Sequence, residues 1–268
     1  MQTIDKKTNN FLSKHRVFNT FELESACDVS GYRTRNLLSK LQRENKIKKV
    51  RNSIYTVLPE NVHDDFTPPA LLIAAKMTDD AVLGYRSALA FYGLSRNATS
   101  SHIFISRRRI KPYHIHGLLF KPCLPPKQVT KVEHIGVVEH IVWGTPVRVV
   151  SKERLLADSL DRLELSGGWE EVLSAFRYEN VLNWEELLAY LRLLANPATS
   201  ARVGYLLEQC KETMRVPEDV LLQLEKMKPR MPQHFFRTRR IGKLNHRWNL
   251  YIPEDVAAAI TNEKDYAF

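Results

Sequence analysis

The sequence lacks most features that would place it outside the cell or in a membrane. Only three of its 268 residues are cysteines, and Cys27, Cys123 and Cys210 form no CxxC pair. So few scattered cysteines argue against a disulfide framework and a cysteine zinc site. No apolar run approaches the ~20 residues of a membrane helix, and the polar segment 1–10 has no signal-peptide core. We therefore expect a soluble, cytoplasmic protein with buried thiols.

Enzyme signatures are absent as well. The chain contains no GxxxxGK[ST], no GxGxxG after a strand, no GxSxG and no HExxH. Asp158 and Asp161 lie one helical turn apart, but basic residues alternate with them, which favours surface ion pairs over a catalytic carboxylate pair. His114, His116 and Cys123 could suggest a metal site, but no carboxylate or second cysteine accompanies them at ligand spacing. We expect no catalytic residue, no metal and no cofactor.

Positive charge is present in excess and in blocks. The formal net charge is +10 and the pI is about 9.5, which favours an anionic partner. Residues 1–60 and 61–152 each hold twelve basic and six acidic side chains, residues 153–225 hold seven and fourteen, and residues 226–253 hold eight and none. Because the charge is grouped in this way, solubility alone does not account for it.

The first sixty residues show the element order of a winged helix-turn-helix. The predicted elements are helices at 3–14, 21–27 and 32–44 and a β-hairpin at 47–57. Thr20 is expected to cap the second helix, which would bury Phe21, and Ser30 to cap the third. The hairpin is favoured by β-branched and aromatic residues on both sides of a polar turn.

The third predicted helix has one apolar and one cationic face. Thr34, Leu37, Leu38 and Leu41 recur at helical spacing, which is typical of a face packed on a core. Arginine can read guanine and asparagine adenine in the major groove, and lysine neutralises phosphates. The predicted base-reading residues are Tyr32, Arg33, Arg35 and Asn36, the backbone contacts Lys40 and Arg43, and the wing contacts Lys48, Lys49, Arg51 and Asn52. The alternative is a solvated basic helix followed by an ordinary hairpin.

Two further basic segments are candidates for a second anionic contact. Arg107, Arg108 and Arg109 follow a predicted strand and could meet phosphate, an acidic partner or only solvent. In the basic tail, basic residues lie among aromatic ones, a pattern that can bind nucleic acid by stacking and charge. The basic residues are Arg237, Arg239, Arg240, Lys243 and Arg247, and the aromatic ones are Phe235, Phe236, His246 and Trp248. The alternatives for this tail are that its aromatic residues are core and that its arginines pair with the acidic block 153–225.

The fold class predicted from the whole chain is α+β. We expect a winged helix-turn-helix domain over residues 1–62 and a larger α+β domain over residues 66–268. The second domain is predicted to begin with helices and strands and to be helical from Ser151. The predicted strands are 102–106, 115–120, 136–142 and 147–150, and the predicted helices include 184–194, capped by Asn183.

Three segments resemble the AbiEi-type antitoxins, the regulatory half of bacterial type IV toxin–antitoxin pairs. They are the wing with its tyrosine, Lys48 to Tyr55; the segment Gly84-Tyr85-Arg86-Ser87-Ala88-Leu89-Ala90-Phe91-Tyr92-Gly93-Leu94; and Val149 to Asp158, followed by Gly167-Gly168. The resemblance covers nearly the full length. Similar wings often turn at glycine, whereas this one has Asn52-Ser53, of which asparagine tolerates a positive φ.

The resemblance implies a repressor that binds operator DNA of its own operon. It also implies a carboxy-terminal domain that counters a partner toxin, an AbiEii-type nucleotidyltransferase, with or without direct contact. Two other functions fit the residues. One is a winged-helix transcription factor whose second domain senses a ligand, and the other is a DNA-targeted nuclease or nucleotidyltransferase, disfavoured by the lack of paired acidic metal ligands.

Overall fold

The computed structural model describes residues 4–59, 69–115, 117–132, 134–238 and 241–262. The chain has a mixed α+β fold. It divides into two compact units, of which unit 1 comprises 1–83, 99–124 and 138–149, and unit 2 comprises 84–98, 125–137 and 150–268. Among the described residues no helix is both long and apolar enough to cross a membrane.

Unit 1 contains four helices and two sheets within its described residues. Its helices are α1 (Ile4–Lys14), α2 (Thr20–Cys27), α3 (Tyr32–Arg43) and α4 (Ala70–Lys76). Its strands are β1 (Val17–Asn19), β2 (Ile47–Arg51), β3 (Ile54–Val57), β4 (Val82–Leu83), β5 (Ser101–Ile105), β6 (Tyr113–Ile115), β7 (Leu118–Cys123), β8 (Val137–Val142) and β9 (Thr145–Val150). One sheet has the order β1-β3-β2 and the other β6-β7-β5-β4-β9-β8.

The three-stranded sheet and α1 to α3 enclose one hydrophobic core. Phe11 of α1, Leu23 of α2 and Leu38 and Leu41 of α3 are buried in the same cluster as Tyr55 of β3. Strand β3 pairs antiparallel with both β1 and β2. The sequence did not predict β1, because three residues are too short for an alternating pattern to show.

The start of α2 and α3 differs in detail from the prediction. Asn19, not Thr20, caps α2: its side chain accepts from the Glu22 amide, and Glu22 in return accepts from the Asn19 amide. Phe21 is 73% exposed, not buried. Gly31, not Ser30, occupies the N-cap position of α3 and makes no side-chain cap bond, with a φ of 56° that favours glycine.

The division into units also differs from the predicted domains 1–62 and 66–268. The six-stranded sheet belongs to the same unit as the amino-terminal helices. The Thr145 hydroxyl donates to the Val17 carbonyl at 3.0 Å. A Cβ on Gly144 would lie 2.1 Å from the Lys14 carbonyl oxygen, so the β8–β9 turn packs directly on the end of α1. A composition shift marks a linker but does not show which segments pack together. The residues between the two predicted domains, 63–65, lie outside the described residues.

Unit 2 is mainly helical. Its helices are α5 (Tyr85–Phe91), α6 (Lys152–Asp161), α7 (Trp169–Phe176), α8 (Trp184–Leu194), α9 (Pro197–Gln209), α10 (Lys211–Met214), α11 (Glu218–Lys226) and α12 (Glu254–Asn262). A small sheet contains β10 (Gln233–His234), β11 (Lys243–Asn245) and β12 (Leu250–Ile252), in the order β10-β12-β11. Asn183 caps α8, as predicted, by accepting from the amides of Glu185 and Glu186.

Candidate nucleic-acid interface

Helix α3 is held to the core of unit 1 by one face only. Leu37, Leu38 and Leu41 are at most 9% exposed. The Thr34 hydroxyl donates to Glu24 of α2 at 2.7 Å, and this bond fixes α3 against the preceding helix. The four residues predicted as the packed face, Thr34 among them, are all buried. The opposite face is therefore presented by a rigid support.

The amino-terminal half of α3 exposes its polar side chains. Tyr32 is 71% exposed, and Arg33, Arg35 and Asn36 are exposed too. None of these four side chains forms a hydrogen bond or ion pair with a described residue. Two guanidinium groups, an amide and a phenol are thus available together, and these groups can donate to base edges and phosphates.

The carboxy-terminal half of α3 is more constrained. Lys40 lies 3.1 Å from Asp5 of α1 and 4.0 Å from Glu44. The hydrogen bond to Asp5, followed by the charges of Asp5 and Glu44, raises the pKa of Lys40. Arg43 is exposed and donates to the Ser39 carbonyl at 3.4 Å. Lys40 keeps its charge but shares it with acidic neighbours, so it is a weaker candidate for phosphate than Arg33 or Arg35.

The β2–β3 hairpin carries the predicted wing residues. Lys48 and Lys49 are exposed on β2, opposite Thr56 and Tyr55 of β3. Asn52 is exposed in the turn, but the positive φ of 64° falls on Ser53 and not on the asparagine. The residue of positive φ in this turn is therefore a serine, where similar wings often have a glycine.

Arg51 differs from the other predicted wing contacts. It is only partly exposed, its guanidinium carbon lies 4.6 Å from the centre of the Tyr113 ring, and its Nη1 lies 3.9 Å from the Met77 sulfur. These contacts hold the Arg51 side chain against β6 and the end of α4. Sequence spacing alone gave no sign of this contact, because Met77 and Tyr113 are distant along the chain.

The first segment of the second candidate basic patch lies in unit 1. Arg107, Arg108 and Arg109 are exposed after β5 in unit 1, where Arg108 is paired with Asp79. Burial acts to raise the pKa of Asp80, but hydrogen bonds from Ser106 and from the Arg107 amide outweigh it and lower that pKa. The loop is thus anchored by two aspartates.

The basic tail pairs with acidic residues of its own unit. Arg237 lies 3.2 Å from Asp161, and Arg239 and Arg240 lie outside the described residues. Arg247 contacts Glu208, Glu218 and Glu225 at 2.7, 2.9 and 3.3 Å. The tail aromatics Phe235 and Trp248 are fully buried. Among the described residues of the tail, Phe235 and Trp248 are therefore core residues, and Arg237 and Arg247 pair with the acidic block 153–225.

Asp158 and Asp161 of α6 are buried, whereas surface ion pairs were expected. Arg154 and Asp158 are at most 1% exposed and lie 3.2 Å apart, and the Tyr190 hydroxyl donates to Asp158 at 2.5 Å. A sequence of alternating charges resembles a solvated face, and the packing of neighbouring helices, α8 and α9 among them, on α6 is what buries it. Among the described residues no group of three or more histidine, cysteine or acidic side chains could hold a metal ion.

Comparison with known proteins adds information on the fold. No protein-family model and no curated protein match the chain. It is similar to the crystal structure of the RV2827C protein from Mycobacterium tuberculosis, with a TM-score of 0.61 and 16% sequence identity over 99% of this chain and 96% of that one. At this identity the likeness concerns the fold alone.

Proposed function

We propose that this chain is the DNA-binding antitoxin of a type IV toxin–antitoxin pair. It represses its own operon and counteracts a nucleotidyltransferase toxin of the AbiEii type. The observation that carries the DNA-binding part is the two-faced α3. Its leucines are buried while Arg33, Arg35 and Asn36 are exposed without a described partner.

In this proposal residues 4–57 form a winged helix-turn-helix. Helix α3 enters the major groove with its amino-terminal residues facing the bases. The β2–β3 hairpin is the wing, and its lysines Lys48 and Lys49 contact phosphates. Occupancy of the operator then blocks transcription sterically. The core that α1, α2 and the sheet share with α3 keeps the recognition helix in one orientation.

The antitoxin part of the proposal rests on the segments that resemble the AbiEi family. Two of them meet in unit 2, where Arg86 packs against Gly167: a Cβ at this glycine would lie 2.7 Å from Arg86 Nη2. Gly167 also has a φ of 93°, which disfavours other residues. The pairing of these segments supports a shared structural role for them, and it assigns no toxin-contacting residue.

The DNA-binding part is tested on the DNA upstream of the gene. Fluorescence anisotropy would compare the wild type with an Arg35→Ala/Asn36→Ala double variant and with Lys6→Ala, a change of an exposed lysine on α1. We expect the double variant to lose at least about tenfold in affinity and Lys6→Ala to bind as the wild type does. Equal binding by all three proteins would contradict the role of α3.

The antitoxin part is tested by co-expression with the neighbouring toxin gene. The full chain should restore growth, and the Arg35→Ala/Asn36→Ala variant should restore growth while losing repression of a promoter fusion. A truncation at residue 66 is unsuitable, because unit 1 continues beyond it. If the wild-type chain represses but does not restore growth, the antitoxin assignment fails and the repressor assignment stands.

A further inference from the structure

Unit 2 contains a cavity of about 490 Å³. It lies between the end of α6, the turn 163–165, α9 and the segment 235–238, and its walls include Leu160, Leu163, Phe235 and Phe236. This volume is within the range of sites that hold small molecules, which are mostly apolar with a few placed polar groups.

The most buried polar residue that lines this cavity is Arg202. The residue is 3% exposed. Its Nε donates to the Phe235 carbonyl at 2.6 Å and its Nη1 to the Leu160 carbonyl at 3.2 Å. Its Nη2 forms no hydrogen bond with any described residue. Two carbonyls therefore hold the guanidinium group in place, and Nη2 is left without a bonding partner among the described residues.

The charge of Arg202 is incompletely balanced. Burial, followed by the nearby charge of Arg237, lowers the pKa of Arg202 to about 10, although Asp161 and Glu164 act in the opposite direction. Neither acid is bonded to Arg202. Asp161 Oδ1 already accepts from Asn196, Thr199 and Arg237. A bound anion would place a negative charge in direct contact with Arg202, which neither acid does.

We propose that this cavity binds a small carboxylate with an aromatic or apolar body. Its carboxylate would accept from Nη2 of Arg202 and from Arg237, whose side chain is 64% exposed, and its body would lie against Phe235 and Phe236. A monoanion fits better than a phosphate dianion, because Asp161 and Glu164 are close and most of the wall is apolar.

The test uses the full-length protein and phenylacetate as the probe. Isothermal titration calorimetry would compare phenylacetate, its uncharged analogue phenylacetamide and inorganic phosphate. We expect phenylacetate to bind and both other probes to bind at least about tenfold more weakly, because one lacks the charge and the other the ring. Binding of phosphate as tight as that of phenylacetate, or no heat with phenylacetate, would overturn the proposal.

Variants separate this site from binding elsewhere on the surface. Arg202→Lys keeps the positive charge but loses the planar set of N–H donors of the guanidinium group. Arg237→Gln removes a mostly exposed charge. Each should weaken phenylacetate binding, Arg202→Lys by at least about tenfold and Arg237→Gln by about threefold or more. Arg192→Gln, an exposed change on α8, should bind as the wild type. If Arg202→Lys does not fold, Arg237→Gln decides alone, and unchanged affinity in it would overturn the proposal.

Discussion

On α3 of unit 1, Arg33 and Arg35 are exposed and make no side-chain hydrogen bond with a described residue. In unit 2, by contrast, Arg154 and Arg177 are at most 4% exposed and are bonded to a carboxylate or to a carbonyl group. An exposed, unpaired cation contributes little to stability and is free to bind an anion. A buried, bonded one is part of the fold. An arginine on α3 is therefore a candidate for binding an anion, whereas Arg154 and Arg177 contribute to packing.

The largest expected effect is on the stability of unit 2. Arg154→Met leaves Asp158 buried without its cation, and we expect a loss of about 3–5 kcal/mol in the free energy of unfolding. Urea denaturation would measure it, with Arg192→Met on the surface of α8 as the matched control. A loss under about 1 kcal/mol would mean that buried arginines in unit 2 do not support the fold as argued.

The next effect is on DNA binding by unit 1. Arg33→Ala should cost about 1–3 kcal/mol on the specific operator and relax its sequence preference. Its free energy of unfolding should change by no more than about 0.5 kcal/mol, as is usual for surface substitutions. Anisotropy titrations and urea denaturation of one preparation would give both values. The contrast between exposed and buried arginines would be wrong if Arg33→Ala lost well over about 0.5 kcal/mol in its free energy of unfolding, or if it bound the operator with unchanged affinity.

A buried histidine in unit 1 predicts a pH dependence of stability. His102 on β5 is 7% exposed, neither ring nitrogen has a partner among the described residues, and burial lowers its pKa. The unfolded chain therefore takes up this proton first as the pH falls below about 6.5, and stability declines by up to ~1.4 kcal/mol per pH unit until the lowered folded pKa is reached.

The variant His102→Leu should flatten the stability profile between about pH 7 and pH 5. The exposed His114 on β6 provides a matched control, because His114→Leu should leave the profile as it is in the wild type. Denaturation curves at several pH values would show the difference. Parallel profiles for all three proteins would rule out His102 as the origin of the pH dependence.

The smallest effect is expected at the β2–β3 hairpin. Lys49→Ala should weaken binding to all duplexes alike and reduce the slope of log K against log salt by about one, because one phosphate contact is lost. The slope is measured by repeating the titration at four or more salt concentrations. A change confined to the specific operator would make Lys49 a base-reading residue and not a phosphate contact.

The sequence predicted best where a pattern repeats within one element. The leucine spacing of α3 identified its buried face, because periodicity reports burial directly. It failed where burial depends on a distant segment: the Arg154–Asp158 pair resembled a solvated surface, and Phe21 resembled a core residue. The grouping of the six-stranded sheet with the amino-terminal helices and the cavity around Arg202 also depend on contacts between remote segments, which no local pattern reports.

The element that we propose to be in contact with DNA is α3. Photo-cross-linking tests it most directly, with p-benzoylphenylalanine in place of Tyr32 on α3 or of Tyr178 in unit 2, which are 71% and 53% exposed. Irradiation with operator DNA should produce a cross-link from position 32 and none from position 178. A cross-link from 178 alone, or equal yields from both, would contradict the claim.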